Sequence, residues 1–243
     1  MKLDNVSFKH DDWVLRGISL DVPAGARLAI LGANGSGKST LLKLMAGAWR
    51  PAEGTISLEK PYDYSRRGRR HIREQVQLVL QEPDDQLFAP TVLQDISYGP
   101  VNLGASDVEK RVADAMGLAG VTHLADRVPH RLSYGQRKLV ALAGALAMRP
   151  RFLLLDEPTA GLDPIAVRSL LSVLAGLDCA VVLTTHDVDF AWEFASDIAV
   201  LREGTLEVGK SQLLQPSELG MPWAPVVSSV LEKPVHTPED LLD

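Results

Sequence analysis

Apolar and polar positions alternate from Leu3 to Phe8 and again from Ile18 to Val22, which predicts two half-buried strands around the charged turn His10-Asp11-Asp12. Pro23-Ala24-Gly25 marks a turn, and Arg27 to Leu31 is a short apolar strand that runs into a glycine-rich loop. The spacing predicts a helix over Thr40 to Ala48, ending near Gly47 with Pro51 beyond it. From Glu53 to about Leu80 the pattern is strand-like, interrupted by the basic run Arg66-Arg67-Gly68-Arg69-Arg70. That run reads as a solvated loop, with acidic lipid headgroups or a partner protein as the sharper alternative. Between about Val92 and Leu124 the segment reads as helical with a polar face, broken at Gly99-Pro100 and at Gly104. A helix is expected over Ser133 to Met148, a strand over Phe152 to Leu155, a helix over Pro164 to Ala175 and a strand over Ala180 to Thr184. Strands and helices alternating at this spacing argue for an α/β fold, a parallel sheet with crossover helices.

Composition narrows the class. The chain has 243 residues, enough for a sizeable core, with 46% hydrophobic and 23% charged residues. Its formal net charge of −6 argues against nucleic acid as a partner. The single cysteine, Cys179, excludes an intramolecular disulfide and fits a reducing compartment. The sequence turns polar directly after Met1, and its longest apolar run, Leu139 to Met148, is well short of a membrane span. A soluble, cytoplasmic protein is expected. Five prolines between Gln215 and Asp243 predict an extended tail with at most short helices.

The chemistry begins at Gly32-Ala33-Asn34-Gly35-Ser36-Gly37-Lys38-Ser39, which fits G-x-x-x-x-G-K-[ST] between a predicted strand and a predicted helix. Glycines let the backbone wrap around phosphates with successive N–H groups turned inward. Lys38 supplies a cation for the β and γ phosphates, and the Ser39 hydroxyl is a candidate Mg²⁺ ligand. The helix that opens here, with Thr40 in its first turn, aims its positive end at the same anion. This is a nucleotide site. A second element lies at Phe152-Leu153-Leu154-Leu155-Asp156-Glu157, a buried strand ending in two acids where ligands bind in open parallel sheets. Asp156 can hold Mg²⁺ through water, and Glu157 can orient or deprotonate an attacking water.

Leu132-Ser133-Tyr134-Gly135-Gln136, with Gln136 lying 20 residues before Asp156, completes the order in which a family becomes visible. The sequence resembles the nucleotide-binding subunits of ATP-binding-cassette (ABC) transporters, whose signature is usually Leu-Ser-Gly-Gly-Gln; here Tyr134 replaces the first glycine. The resemblance covers about residues 1–213 and implies a P-loop ABC cassette: a RecA-like parallel-sheet core, an antiparallel β-subdomain and an α-helical signature subdomain over about 92–148, followed by a short proline-rich tail over 214–243. It also implies site roles. Gln81 corresponds to the glutamine that touches Mg²⁺ and faces the membrane partner. Ala160-Gly161-Leu162-Asp163 resembles the loop that crosses the dimer interface. His186, after Thr184-Thr185 and before Asp187, matches the histidine that contacts the γ-phosphate. His10 stands where an aromatic ring usually stacks on adenine, with Trp13 and Phe8 as nearby substitutes. Two cassettes of this family pair head to tail, so that each ATP lies between the P-loop of one and the signature of the other. Ser133, Gly135 and Gln136 of one chain would then face the nucleotide of the second cassette.

The stretch from Glu82 to Val92, followed by Asp95 to Gly104, resembles the ATPases of energy-coupling-factor (ECF) importers, and among them the cobalt-transport ATPase subunit. The resemblance implies a second cassette, itself or a paralogue, a transmembrane scaffold protein gripped near the Gln81 segment, and a small membrane protein that captures the substrate. It places the chain peripherally, on the cytoplasmic face of the membrane. Many members carry a longer C-terminal helical extension than the 30 residues that follow Leu213. Three rival readings are weaker. Chromosome and repair ATPases insert long coiled coils between these motifs, whereas 92 residues separate Ser39 from Leu132 here, without heptads. Translation factors of the superfamily carry two cassettes and a basic linker. A regulator that only binds nucleotide has no use for Glu157, His186 and Gln81 together.

Overall fold

The computed structural model describes residues 1–209, so the expected tail over 214–243 lies outside the described residues. The amino-terminal alternation becomes a three-stranded antiparallel sheet in the order β2-β1-β4, formed by β1 (Lys2–Lys9), β2 (Trp13–Asp21) and β4 (Glu53–Ser57). β2 starts earlier than the Ile18 suggested by the sequence, because Lys9 pairs with Trp13 and Phe8 with Leu15 directly across the turn.

The second sheet has six strands: β3 (Arg27–Leu31), β5 (Val76–Val79), β6 (Phe152–Asp156), β7 (Ala180–Thr185), β8 (Asp197–Arg202) and β9 (Thr205–Gly209), ordered β5-β6-β7-β3-β8-β9. All neighbours are parallel except the last pair. Its central strands are apolar throughout because both faces are covered. In β6, Leu153 and Leu155 belong to one core cluster while Phe152 and Leu154 belong to the other. The same period of two divides Val181 and Leu183 from Ala180 and Val182 in β7, and Ala29 and Leu31 from Leu28 and Ile30 in β3. One face packs on α1 (Lys38–Met45), α2 (Arg66–Gln75) and the antiparallel sheet. The other packs on α3 (Val92–Leu103), α4 (Val108–Leu118), α5 (Tyr134–Ala147), α6 (Pro164–Ala175) and α7 (Val188–Phe194).

Two local expectations need correcting. The basic run is not a loop but the first half of α2, capped by Ser65, whose Oγ accepts from the Gly68 N–H at 3.1 Å. The helix buries only Ile72, against the open face of Gly47, so its amphipathic signal in sequence is a single residue deep. Arg66, Arg67 and Arg70 are exposed, whereas Arg69 is half-buried, its Nε donating to the Tyr64 carbonyl at 3.0 Å. Nor does Gly99-Pro100 break α3. A proline pushes the preceding residue out of helix partly through that residue's Cβ, and Gly99 has none. The missing Cβ also accommodates Met148, whose sulfur would lie 2.6 Å from one. The helix stops instead at Gly104, in the left-handed region at φ 70°.

Candidate functional site

β3 ends at Leu31 and the chain turns through the glycine-rich loop into α1. Gly37 is the N-cap, at φ 104° and ψ 10°, where a side chain is disfavoured, and no side chain caps the helix. The first N–H groups of α1 therefore remain open to an anion. They look onto a cavity of 290 Å³ lined by Asn34, Gly35, Lys38, Ser39, Gln81 and Glu157, with Val14, Ala33, Gly37 and Thr40 completing the wall. The residues expected to cradle phosphate thus stand together with two of those expected to act on it. Gly32 and Ser36 shape the loop from below: a Cβ on Gly32 would lie 2.6 Å from Ser36 Oγ and 2.7 Å from the Leu201 carbonyl.

Charges converge at the cavity floor. Lys38 Nζ donates to the carbonyls of Gly32 (2.7 Å) and Ala33 (3.3 Å) and lies 3.2 Å from Glu157 Oε1. The other carboxylate oxygen, Oε2, lies 2.9 Å from His186 Nδ1. Lys38 and Glu157 are buried, whereas the His186 side chain is 63% exposed. The 3.2 Å approach is an ion pair without a hydrogen-bonding angle, because Glu157 Oε1 has no hydrogen-bond partner among the described residues; nor does the buried Ser36 Oγ. Unpaired buried polar atoms cost ~1–3 kcal/mol each. A polyphosphate and its attendant water supply both missing partners, an acceptor for the hydroxyl and a donor for the carboxylate.

The register of the large sheet explains the position of the two acids. Asp156 stands opposite Thr184, and Thr184 Oγ1 donates to Asp156 Oδ1 at 2.7 Å in the buried strand ends. The Glu157 N–H, at the first position beyond the strand, is shared between the Thr184 carbonyl (3.1 Å) and Thr184 Oγ1 (3.2 Å). Glu157 itself has φ 45°, a left-handed conformation that is rare for a glutamate and needs support from its surroundings.

The signature opens α5. Ser133 is its N-cap and forms a capping box with Gln136: Ser133 Oγ accepts from the Gln136 N–H and Gln136 Oε1 accepts from the Ser133 N–H. Gly135 has open space around it apart from Leu162 and Ala166. None of these three lines the P-loop cavity of its own chain. His10, at the end of the hairpin, meets Trp49 edge to face at 5.2 Å and Phe8 at 5.0 Å, while Phe8 and Trp49 stack at 5.3 Å. Trp13 stands apart from that cluster, beneath the Lys9 ammonium.

Three residues in contact with candidate site residues escaped the sequence reading. Trp49 follows the expected helix and showed no motif. Thr184 was legible only as the end of a strand. Lys138 is a buried cation on the apolar α5; its Nζ donates to the carbonyls of Glu157 (2.9 Å) and Pro158 (3.2 Å). Burial pushes the Lys138 pKa down to about 8, against the opposing pull of Glu82, Glu157 and Asp156. A lysine two positions after Gln136, inside an otherwise apolar helix face, was the available signal.

Comparison with known proteins agrees with this geometry. Residues 15–160 match the ABC transporter family. The energy-coupling factor transporter ATP-binding protein EcfA3 of Clostridium perfringens is 41% identical over 213 residues, covering 84% of this chain and 75% of that protein. The solved structure of cbiO1 from Clostridium perfringens, part of the ABC transporter complex cbiONQ, superposes with a TM-score of 0.79 at 35% identity, covering 95% of this chain and 98% of that one. An ATP-binding cassette solved as a dimer in a post-hydrolysis state with ADP and Pi gives 0.77 at 26% identity, over 86% of this chain and 97% of the other. The chain belongs to the ABC transporter ATP-binding family and is an ATP-binding, ATP-hydrolysing subunit of the energy-coupling-factor type.

Proposed function

We propose that this cassette, residues 1–213 with a helical subdomain over about 92–148, energises uptake of a transition metal, cobalt, through a membrane scaffold protein. The observation that carries its enzymatic part is the file Lys38–Glu157–His186, whose first two members line the P-loop cavity while His186 stands exposed beyond them. In this reading Glu157 is the base that orients and deprotonates the attacking water, its buried Oε1 being without a hydrogen-bond partner among the described residues. His186 holds the second carboxylate oxygen and is exposed enough to reach the γ-phosphate. Lys38, Ser36, Asn34, Gly35, Gly37 and Thr40 hold phosphate, and the Phe8–His10–Trp49 cluster carries the adenine. Mg²⁺, when bound, neutralises charge on the transferring phosphoryl group. Ser39, Gln81 and water-bridged Asp156 are its proposed ligands. Mg²⁺ commonly takes few protein ligands and retains waters, which suits a site without a group of three His, Cys, Asp or Glu among the described residues.

Ser133, Gly135 and Gln136 lie off their own chain's cavity, and we assign them to the nucleotide of a second cassette, itself or a paralogue, in a head-to-tail dimer. The scaffold protein would dock in a groove of 580 Å³ beside the Gln81 segment, lined by Arg66, Arg70, Phe88, Tyr98, Asn102 and Met148 among others. Phe88 (61% exposed) and Tyr98 (54%) meet edge to face at 4.7 Å on its wall, an apolar feature of the kind that marks a docking site. As a cassette that docks on a membrane scaffold, the chain is placed peripherally on the cytoplasmic face; no helix among the described residues is long and apolar enough to cross a membrane. The choice of cobalt rests on likeness to cobalt-transport ATPases. Tagged purification from gently solubilised membranes tests the whole reading. A scaffold protein with a small capture protein that holds cobalt is expected. A capture protein that holds a vitamin such as biotin overturns the substrate, and two ordinary transmembrane subunits overturn the branch.

A further inference from the structure

We propose that Lys138 is a positioning residue for the catalytic carboxylate, tying the signature helix to the backbone on which Glu157 stands. This rests on Glu157 being the base. The strained residue is gripped from both sides: Thr184 on β7 takes its N–H, and Lys138 on α5 donates to its carbonyl and to the next, that of Pro158. The Glu157 carbonyl also accepts from the Ala160 N–H at 3.2 Å, so the same oxygen anchors the start of the Ala160–Asp163 loop. Without the ammonium, the Pro158 carbonyl loses its donor, the Glu157 carbonyl keeps only the Ala160 N–H, and the left-handed turn loses its tie to α5.

Tyr134, one turn earlier on the same face of α5, covers this contact. Its ring lies 5.4 Å from Lys138 Nζ and packs so closely on Gly161 that a Cβ there would come within 2.8 Å of it. Its hydroxyl meets the Glu82 carboxylate at 3.3 Å and 3.4 Å, and the Gln81 carbonyl at 3.5 Å. A glycine at 134 would leave Lys138 facing water. The first turns of α5 thus hold Ser133 towards the partner cassette and Glu157 towards the chain's own nucleotide, and a shift of one moves the other.

The test is Lys138→Met, which keeps the length and removes the donors, with Lys138→Arg as the conservative variant and Glu157→Gln in parallel. Each is read by steady-state ATPase, by equilibrium binding of a fluorescent ATP analogue, and by amide exchange in the nucleotide-free protein. Lys138→Met is expected to lower kcat by about tenfold or more with analogue affinity within about twofold, and to speed exchange at Glu157 and Ala160 about tenfold. Lys138→Arg restores most of both. Unchanged kcat and exchange in Lys138→Met, with Glu157→Gln inactive, overturns the role of Lys138 alone. Analogue affinity that falls in step with kcat while exchange stays slow also overturns it. Wild-type turnover in Glu157→Gln overturns the base assignment, and accelerated exchange in Lys138→Met then still reports the clamp. Should Lys138→Met not fold, Lys138→Gln, with donors on a shorter stem, is read by the same exchange measurement.

Discussion

At position 157 a glutamate occupies a conformation in which glycine would rest more easily, and the site pays for that strain with Thr184 and Lys138. The benefit is reach: the carboxylate turns back from the strand end to stand between Lys38 and His186. Lys38→Ala removes the ammonium that faces the cavity and is expected to weaken ATP-analogue binding at least a hundredfold in a fluorescence titration, roughly 2.7 kcal/mol. Wild-type affinity would reject Lys38 as a phosphate ligand. Trp49→Ala removes the ring shared by Phe8 and His10 and is expected to weaken binding more than His10→Ala, because indole offers more stacking area than imidazole. The reverse order would return the adenine contact to His10 itself. At Tyr134, a ring that merely replaced a glycine would be dispensable. The packing of its ring on Gly161 and over Lys138 predicts instead that Tyr134→Gly lowers ATPase activity severalfold, while Tyr134→Phe, which keeps the ring and loses only the hydroxyl contact with Glu82, stays near wild type. Equal activity of the two variants would show that the ring has no role.

The elements differ in how plainly their sequences announce them. Arg27–Leu31 and Pro164–Ala175 match their expected bounds because strand and helix signals there are bracketed by turn residues and caps. α2 stayed hidden because a helix that buries one side chain has almost no apolar period, and its Arg70–Glu74 pair is too weak a signal to replace it. α3 runs on through Gly99-Pro100 because Gly99 has no Cβ to meet the proline ring, and the same missing Cβ makes room for Met148 at the end of α5, a contact that no local reading of residues 99 and 100 contains. Of the residues that line the P-loop cavity, those from Asn34 to Thr40 and Glu157 lay within motifs, and Gln81 followed from the family resemblance. Trp49, Thr184 and Lys138 were not legible, since each acts through a partner distant in sequence. At this scale the capping box of α5 offers a test of stability. Ser133→Ala is expected to cost ~1 kcal/mol in chemical denaturation, from loss of one capping acceptor. An unchanged midpoint would mean that the cap contributes nothing to stability.

Over the whole molecule, the two sheets and the helical face put three functions on separate surfaces. The carboxyl ends of β3, β6 and β7 carry the residues proposed for nucleotide chemistry, the start of α5 carries the signature, and the Phe88–Tyr98 groove lies beside the Gln81 segment. In the proposed function the subunit touches no transported substrate and acts on one only by changing how it meets its neighbours, which predicts that ATP changes the assembly of two cassettes. Glu157→Gln tests this most directly, because it keeps the cavity while removing the base. Sedimentation of that variant with and without Mg²⁺-ATP is expected to show a stable dimer with nucleotide and monomer without it, with phosphate release at least a hundredfold below wild type. A variant that remains monomeric with saturating ATP, or that turns over at the wild-type rate, would contradict the account.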